Sequence, residues 1–159
     1  MRDFVEGHFI LQCYNLIMEK FVIFTDGGSR NNPGPAGAGA VIYDADGRTL
    51  KEVSKFLGEQ TNNWAEYEAV ILALAELKKL VPEKKRRNIS VEIKMDSELI
   101  VNQLTNKYQI KQESLFPQYI KVHNMQVKDF PRVTFTHIPR EKNEKADKLV
   151  NKAIDSAQL

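Results

Sequence analysis

The spacing of apolar and polar positions changes period several times along this chain, and each change marks an element. Phe21 to Thr25 is continuously apolar or β-branched, the composition of a central strand covered on both faces. The stretch that follows, GGSRNNPGPAGAGA, is too rich in glycine and proline to hold a helix, and strand character resumes from Ala38 to Tyr43. DADG at Asp44 to Gly47 reads as a hairpin turn and Thr49 to Phe56 as a third strand, which completes an antiparallel meander. Thr61 or Asn62 can cap a helix in which Val70, Ala73, Leu77 and Leu80 share one face and which ends near Val81-Pro82. Ile89 to Met95 alternates as a fourth strand; because a helix leads into it, it should lie parallel to the first. Helical patterns over Ser97 to Leu104 and Glu113 to Val127, a fifth strand over Val133 to Ile138, and a closing helix over Asn143 to Ala157 finish the chain.

This order predicts an α/β fold: a mixed five-stranded sheet, three antiparallel strands followed by two parallel additions, flanked by helices. A length of 159 residues suits one domain, taken as residues 18–159 because Met18 precedes the first strand pattern directly. Residues 1–17 are read as an N-terminal extension. Their patches of apolar residues carry Asp3 and Glu6 and lack the basic leader and A-x-A site of a signal peptide.

Composition adds exclusions. Apolar residues at 42% and charged residues at 28% are ordinary globular values, and a formal charge of +2 is too small to name a partner. No apolar stretch reaches the roughly 18 residues of a membrane span, so no membrane partner is expected. The single cysteine, Cys13, excludes an internal disulfide framework and a cysteine-based zinc site, which fits a reducing, cytoplasmic location. A monomer is expected.

Candidate chemistry comes from four carboxylates. Asp26, Glu66, Asp96 and Asp147 each stand where an apolar run meets a turn or helix end, in the contexts FVIFTDGGS, TNNWAEYEAV, VEIKMDSEL and NEKADKLVN. An isolated ionised carboxylate at the end of a buried strand costs several kcal/mol unless it is paired, protonated or bound to a cation. If the first and fourth strands are adjacent and parallel, Asp26 and Asp96 share one sheet end, where open α/β sheets collect ligands. Glu66 then enters from the first turns of a helix, on the stripe of Val70 and Ala73, and Asp147 closes the group from the last helix. An all-oxygen site suits Mg²⁺ first and Mn²⁺ second. Four carboxylates can hold two ions roughly 3.5 to 4 Å apart, the arrangement that serves phosphodiester hydrolysis.

The strings TDGGSRNNPGPAGAG, TNNWAEYEAVILAL, DSELIVNQL and HIPREKNEKADKLVN, in this order over residues 20 to about 156, resemble type 1 ribonuclease H (ribonuclease HI). The resemblance implies a ribonuclease H-like fold and Mg²⁺-dependent cleavage of the RNA strand of an RNA:DNA hybrid, leaving 5′-phosphate and 3′-hydroxyl ends. The family's metal-binding carboxylates fall on the same Asp26, Glu66, Asp96 and Asp147. Its substrate contacts fall on Gly27, Gly28, Ser29, Asn32, Asn62 and Asn63; glycines let backbone approach a phosphate, and asparagine amides suit 2′-hydroxyls and minor-groove base edges. Helix capping is the competing reading for the two asparagines at 62 and 63. Many members carry a histidine before the last acid; here His137 continues the strand pattern and is read as a strand-end residue near the site, with Arg140 the preferred loop residue to reach a phosphate. A tryptophan-bearing basic protrusion is missing between Lys107 and Val127, as in a compact subgroup, leaving Lys107, Lys111, Lys121 and Lys128 as the candidates for DNA-strand contact. The run Glu83 to Arg87 enters the fourth strand at the end opposite Asp96 and is read as a solvated turn. Trp64 and Tyr67 are read as packing locally. Two alternatives stay open: a nuclease of this fold acting on double-stranded RNA, and a hybrid-binding module without catalysis.

Overall fold

A computed structural model describes residues 18–158 of the chain; the N-terminal extension, residues 1–17, lies outside the described residues. The strands are β1 (Lys20–Ser29), β2 (Gly34–Tyr43), β3 (Thr49–Gln60), β4 (Ser90–Met95) and β5 (Val133–His137). They form one sheet in the order β3-β2-β1-β4-β5. β1 is antiparallel to β2 and parallel to β4, and β4 is parallel to β5, as the sequence pattern predicts. The helices are α1 (Asn62–Leu80), α2 (Glu83–Arg86), α3 (Glu98–Leu104), α4 (Phe116–Lys128) and α5 (Glu144–Ala157). No helix among the described residues is long and apolar enough to cross a membrane.

Two helices cover the two faces of the sheet. Tyr67, Val70, Ala73, Leu74 and Leu77 of α1 form one core with Phe21 and Ile23 of β1, Ala40 and Ile42 of β2, and Val91, Ile93 and Met95 of β4. Burial of each large aliphatic side chain in such a core contributes about 1.5–3 kcal/mol. On the opposite face α5 comes so close to β2 that a Cβ added at Gly39 would stand 2.6 Å from the Ala146 carbonyl oxygen.

That contact explains the largest departure from the sequence reading. The glycine- and proline-rich stretch is mostly strand: β1 runs on through Asp26 to Ser29, β2 starts at Gly34, and the turn is confined to residues 30–33. Its small residues serve as notches for a helix. β3 likewise extends beyond Phe56 to Gln60. Leu80 is 42% exposed, outside the apolar stripe expected of it, and Leu74 is buried in its stead. The helix expected from Glu113 opens as a 3-10 turn, Glu113–Leu115, with α4 starting at Phe116 and Pro117 in its first turn, where a missing N–H costs nothing.

The charge run also departs from a simple solvated turn. Lys84 and Lys85 are exposed, but Arg86 donates to the carbonyls of Val81 (3.0 Å) and Lys78 (2.8 Å) and pairs with Asp129 at 3.3 Å. Arg87 donates to the carbonyls of Val127 (2.6 Å) and Lys128 (3.0 Å), which clamps the end of α4. Asp129, its side chain 5% exposed, also pairs with Lys78 at 3.2 Å. Burial pushes this carboxyl up, but hydrogen bonds and charge from Lys78 and Arg86 outweigh it and hold Asp129 below its ordinary value. Asp129→Ala should therefore lower unfolding free energy by roughly 3 kcal/mol at neutral pH in a urea titration. Because the folded pKa is depressed, the difference from the unaltered protein should narrow as pH falls through and below the ordinary aspartate range.

Candidate active site

Three acids meet where β4 stops. The parallel register of β1 and β4 ends at Thr25 opposite Met95, so the next residue of each strand is an acid: Asp26, still paired with Gly39 of β2, and Asp96. Ser97, directly after Asp96, caps α3 by accepting the Ile100 N–H at 3.3 Å, which turns the chain away and leaves Asp96 at the sheet end. Glu66 arrives from α1. Thr61 caps that helix, its hydroxyl accepting the Trp64 N–H at 3.2 Å. A Cβ at Gly27 would run into the backbone of Ala65 and Glu66, so only glycine there lets α1 sit this close to β1.

One carboxylate oxygen from each of Asp26, Glu66 and Asp96 lies within 4.8 Å of the others. Asp26 and Glu66 are buried, Asp96 is half-buried, and Glu66 Oε2 has no hydrogen-bond partner. Asp147, in the first turn of α5, is exposed and stands outside this trio, but lines the same cavity of about 440 Å³. Burial, then the charges of Asp96 and Asp147, push Asp26 up to about 7; a backbone hydrogen bond from Gly27 offsets part of this. Burial and the charges of Asp26 and Asp96 push Glu66 well above its ordinary value. Clustered, buried, under-bonded carboxylate oxygens with no nitrogen or sulfur donor among them fit a hard divalent cation.

Ser29, Gly27, Gly28, Asn62 and Asn63 line this cavity. Asn62 Oδ1 accepts both the Ser29 N–H (2.8 Å) and the Ser29 hydroxyl (3.0 Å), which leaves the Nδ2 group as its donor. Capping of α1 by Asn62 is thereby excluded, since Thr61 fills that place. Asn32 is not among the residues lining the cavity; its Oδ1 accepts the Asn62 N–H at 3.0 Å, so it fixes Asn62 from the hairpin tip. His137 is exposed at the end of β5, the strand-end place expected of it, and does not line the cavity, whereas Arg140 does. Tyr67 is buried, its hydroxyl donating to Gln103 Oε1 at 2.9 Å, and Trp64 packs half-buried on the core, both as expected.

Sequence reasoning passed over two residues. Arg30 lines the cavity and ties the hairpin tip to the end of α5 through Asp155 (2.5 Å) and Gln158 (3.2 Å). Asn143, 1% exposed at the start of α5, donates from Nδ2 to the Thr25 carbonyl at 2.8 Å. For Arg30 the signal was its place beside Ser29; for Asn143 it was an asparagine ahead of a helical pattern, which reads as an ordinary cap.

Comparison with known proteins agrees with this geometry. Residues 24–153 match a protein family described as reverse transcriptase-like. The chain is 39% identical over 139 residues to a bifunctional protein of Mycobacterium tuberculosis, covering 87% of this chain and 36% of the relative. It is 35% identical over 134 residues to ribonuclease HI of Halobacterium salinarum, covering 84% of this chain and 64% of that protein. The chain thus spans about a third of the first relative and less than two thirds of the second. Among solved structures, the ribonuclease H1 designated LC11, in complex with RNA/DNA hybrid, superposes with a TM-score of 0.84 at 48% identity, covering 87% of this chain and 99% of that one.

The raised pKa values of Asp26 and Glu66 give a stability prediction. A group whose folded pKa lies above its unfolded value takes up protons on folding, so its contribution fades as pH rises through the folded pKa. In EDTA the melting temperature should therefore fall between about pH 5 and pH 8, through the value of about 7 held by Asp26, and Mg²⁺ should restore it. Glu66→Gln should stabilise the metal-free protein at pH 8 and flatten that pH dependence. A melting temperature in EDTA that is level across this range would contradict the assignment.

Proposed function

The chain belongs to the type 1 ribonuclease H family, and from that premise we propose that it hydrolyses the RNA strand of RNA:DNA hybrids with Mg²⁺ held by Asp26, Glu66, Asp96 and Asp147. The observation that carries this reading is the meeting of three carboxylates within 4.8 Å in a cavity that also holds the Asn62 and Asn63 amides. The relative solved with RNA/DNA hybrid bound supports the substrate class.

When bound, Mg²⁺ supplies a water acidic enough to attack at neutral pH and charge stabilisation at the leaving oxygen. Asp26 and Asp96 provide the shared sheet-end oxygens. Glu66 adds a ligand from the helix side, and Asp147 one from the exposed side. Water attacks phosphorus, the bond to the 3′ oxygen breaks, and that oxygen gains a proton, so the products carry 5′-phosphate and 3′-hydroxyl ends. Arg140, which lines the same cavity as the acids, suits a phosphate of the substrate, while Arg30, also in the lining, is paired with Asp155. Asn62, its oxygen held by Ser29, presents an amide donor to a 2′-hydroxyl, the group that separates RNA from DNA at the cut strand.

The DNA strand has a surface of its own. A second cavity of about 500 Å³ shares Asn63 with the first and is lined by Lys107, Tyr108 and Lys111. Of the lysines singled out in this region, these two are the ones beside the site; Lys121 bonds Gln118 at 3.4 Å and Lys128 lies at the far end of α4.

Cleavage of matched RNA:DNA, RNA:RNA and DNA:DNA duplexes with Mg²⁺ or Mn²⁺ tests the assignment. The hybrid should be cut in its RNA strand, and Asp96→Asn should lower kcat by on the order of 10³-fold or more. Undiminished turnover in that variant would overturn the metal reading, and cleavage confined to DNA:DNA would overturn the substrate. The double substitution Lys107→Ala, Lys111→Ala should raise KM with kcat nearly unchanged and flatten the salt dependence of hybrid binding by a slope of about 2. Unchanged affinity and slope would remove both lysines from the interface.

A further inference from the structure

The segment that joins β5 to α5 is stapled to the sheet at two points, and both staples land on the residue just before an acid. The Ile138 N–H donates to the Met95 carbonyl at 2.9 Å, one residue ahead of Asp96. The Asn143 Nδ2 group donates to the Thr25 carbonyl at 2.8 Å, one residue ahead of Asp26. The first staple is backbone; the second is a single side chain. Between them lie Pro139 and the 3-10 turn Arg140–Lys142, and the Asp147 N–H closes the first turn of α5 on the Asn143 carbonyl at 3.1 Å.

Asn143 is costly where it stands. It is 1% exposed, its Oδ1 has no hydrogen-bond partner, and its side chain makes no capping bond to its own helix. A buried amide oxygen left unpaired costs about 1–3 kcal/mol. An asparagine that neither caps its helix nor satisfies its own oxygen is spent on the one bond it does make, which reaches across to β1. The Thr25 carbonyl it reaches belongs to the last residue of β1 paired with β4.

We infer that Asn143 is a positioning residue that holds Asp147 against the Asp26, Glu66 and Asp96 cluster by locking the first turn of α5 to the Thr25 carbonyl. This rests on the metal-dependent hydrolase reading above. Asp147 is exposed and belongs to another element than the trio, so its distance from Asp26 depends on how α5 is seated. Besides the amide, the close approach of the Ala146 backbone to Gly39, the pair Lys145–Glu52 at 2.6 Å and the packing of the helix further along set that distance. The amide is the side-chain hydrogen bond that ties this turn to β1. Side chains that orient a metal ligand without touching the metal typically contribute 10–100-fold in affinity or rate.

The test is a double-mutant cycle on Asn143→Ala and Asp147→Asn, read by Mg²⁺ calorimetry on the free protein and by hybrid cleavage. Asn143→Ala should weaken Mg²⁺ binding about tenfold and lower kcat by a similar factor, with KM for the hybrid unchanged. The double variant should resemble Asp147→Asn alone, since the two residues act as one unit. Asn143→Ser, which keeps a shorter donor, should recover part of the loss, and all variants are compared well below their melting temperatures. Additive losses, or an unchanged Mg²⁺ dissociation constant in Asn143→Ala, would overturn the proposal. Failure of the unaltered protein to cut any hybrid would count against the hydrolase reading alone, because the calorimetric cycle decides the role of Asn143 without turnover.

Discussion

At Gly27 strand β1 and helix α1 come so close that no side chain fits between them, and the rest of the site depends on that contact. It sets Glu66 beside Asp26, so that two carboxylates share a space from which most water is gone. The Gly27 backbone hydrogen bond reaches both acids and offsets part of the cost, but burial and mutual repulsion dominate, and both hold their protons far above the ordinary range. Two buried carboxylates with so little hydrogen bonding are an unfavourable arrangement that a divalent cation reverses, because its charge is attracted to every oxygen that repels the others. Poor stability of the metal-free site and affinity for a metal are therefore two aspects of one geometry.

The same strand end is closed from the other face by a second close approach. Gly39 pairs with Asp26 across the sheet, and it is Gly39 that admits the Ala146 backbone of α5. One glycine lets α1 in from one side and the other lets α5 in from the opposite side, with Asp26 between them. Hydrogen bonds then fix the remaining freedom. Asn32 holds the first amide of α1, Asn62 holds Ser29, and Arg30 reaches the end of α5. The hairpin tip between β1 and β2 thus binds both helices at once, which is why several residues that look like substrate contacts along the chain are engaged with one another in the fold.

How much of this could be read from the sequence follows from what each feature depends on. Strand order and the parallel pairing of β1 with β4 rest on local periodicity and on the handedness of crossovers, so they are legible, and with them the convergence of Asp26, Glu66 and Asp96. The glycine-rich stretch was misjudged because the same residue that loosens a loop also makes a notch for a helix, and only the partner's position distinguishes the two. Leu80 and Leu74 exchanged places because the buried stripe of α1 depends on how that helix is rotated on the sheet. Arg86 and Arg87 looked like a solvated run because their partners, Asp129 and the carbonyls ending α4, lie some 40 residues away. Asn143 was hidden for the same reason, since an asparagine near a helix start reads as a cap, and the bond of Asn32 to the Asn62 N–H likewise spans 30 residues.

The burial of the four acids is graded, and the gradient bears on how the proposed chemistry is divided. Asp26 and Glu66 are buried, Asp96 is half-buried and Asp147 is exposed. Mg²⁺ keeps several of its waters and is typically held by one or two carboxylates together with substrate phosphate. On the proposed reading, the buried side of the cluster supplies carboxylate oxygens that no solvent competes for. The exposed side, with Asp147 and Arg140, leaves open the coordination positions that a phosphodiester must fill. A fully buried fourth acid would complete the cage and exclude the substrate, and a fourth acid left loose would fail to define where the phosphate sits. An exposed ligand on a helix tethered by a buried amide meets both demands, which is why the seating of α5 belongs to the site as much as the acids do.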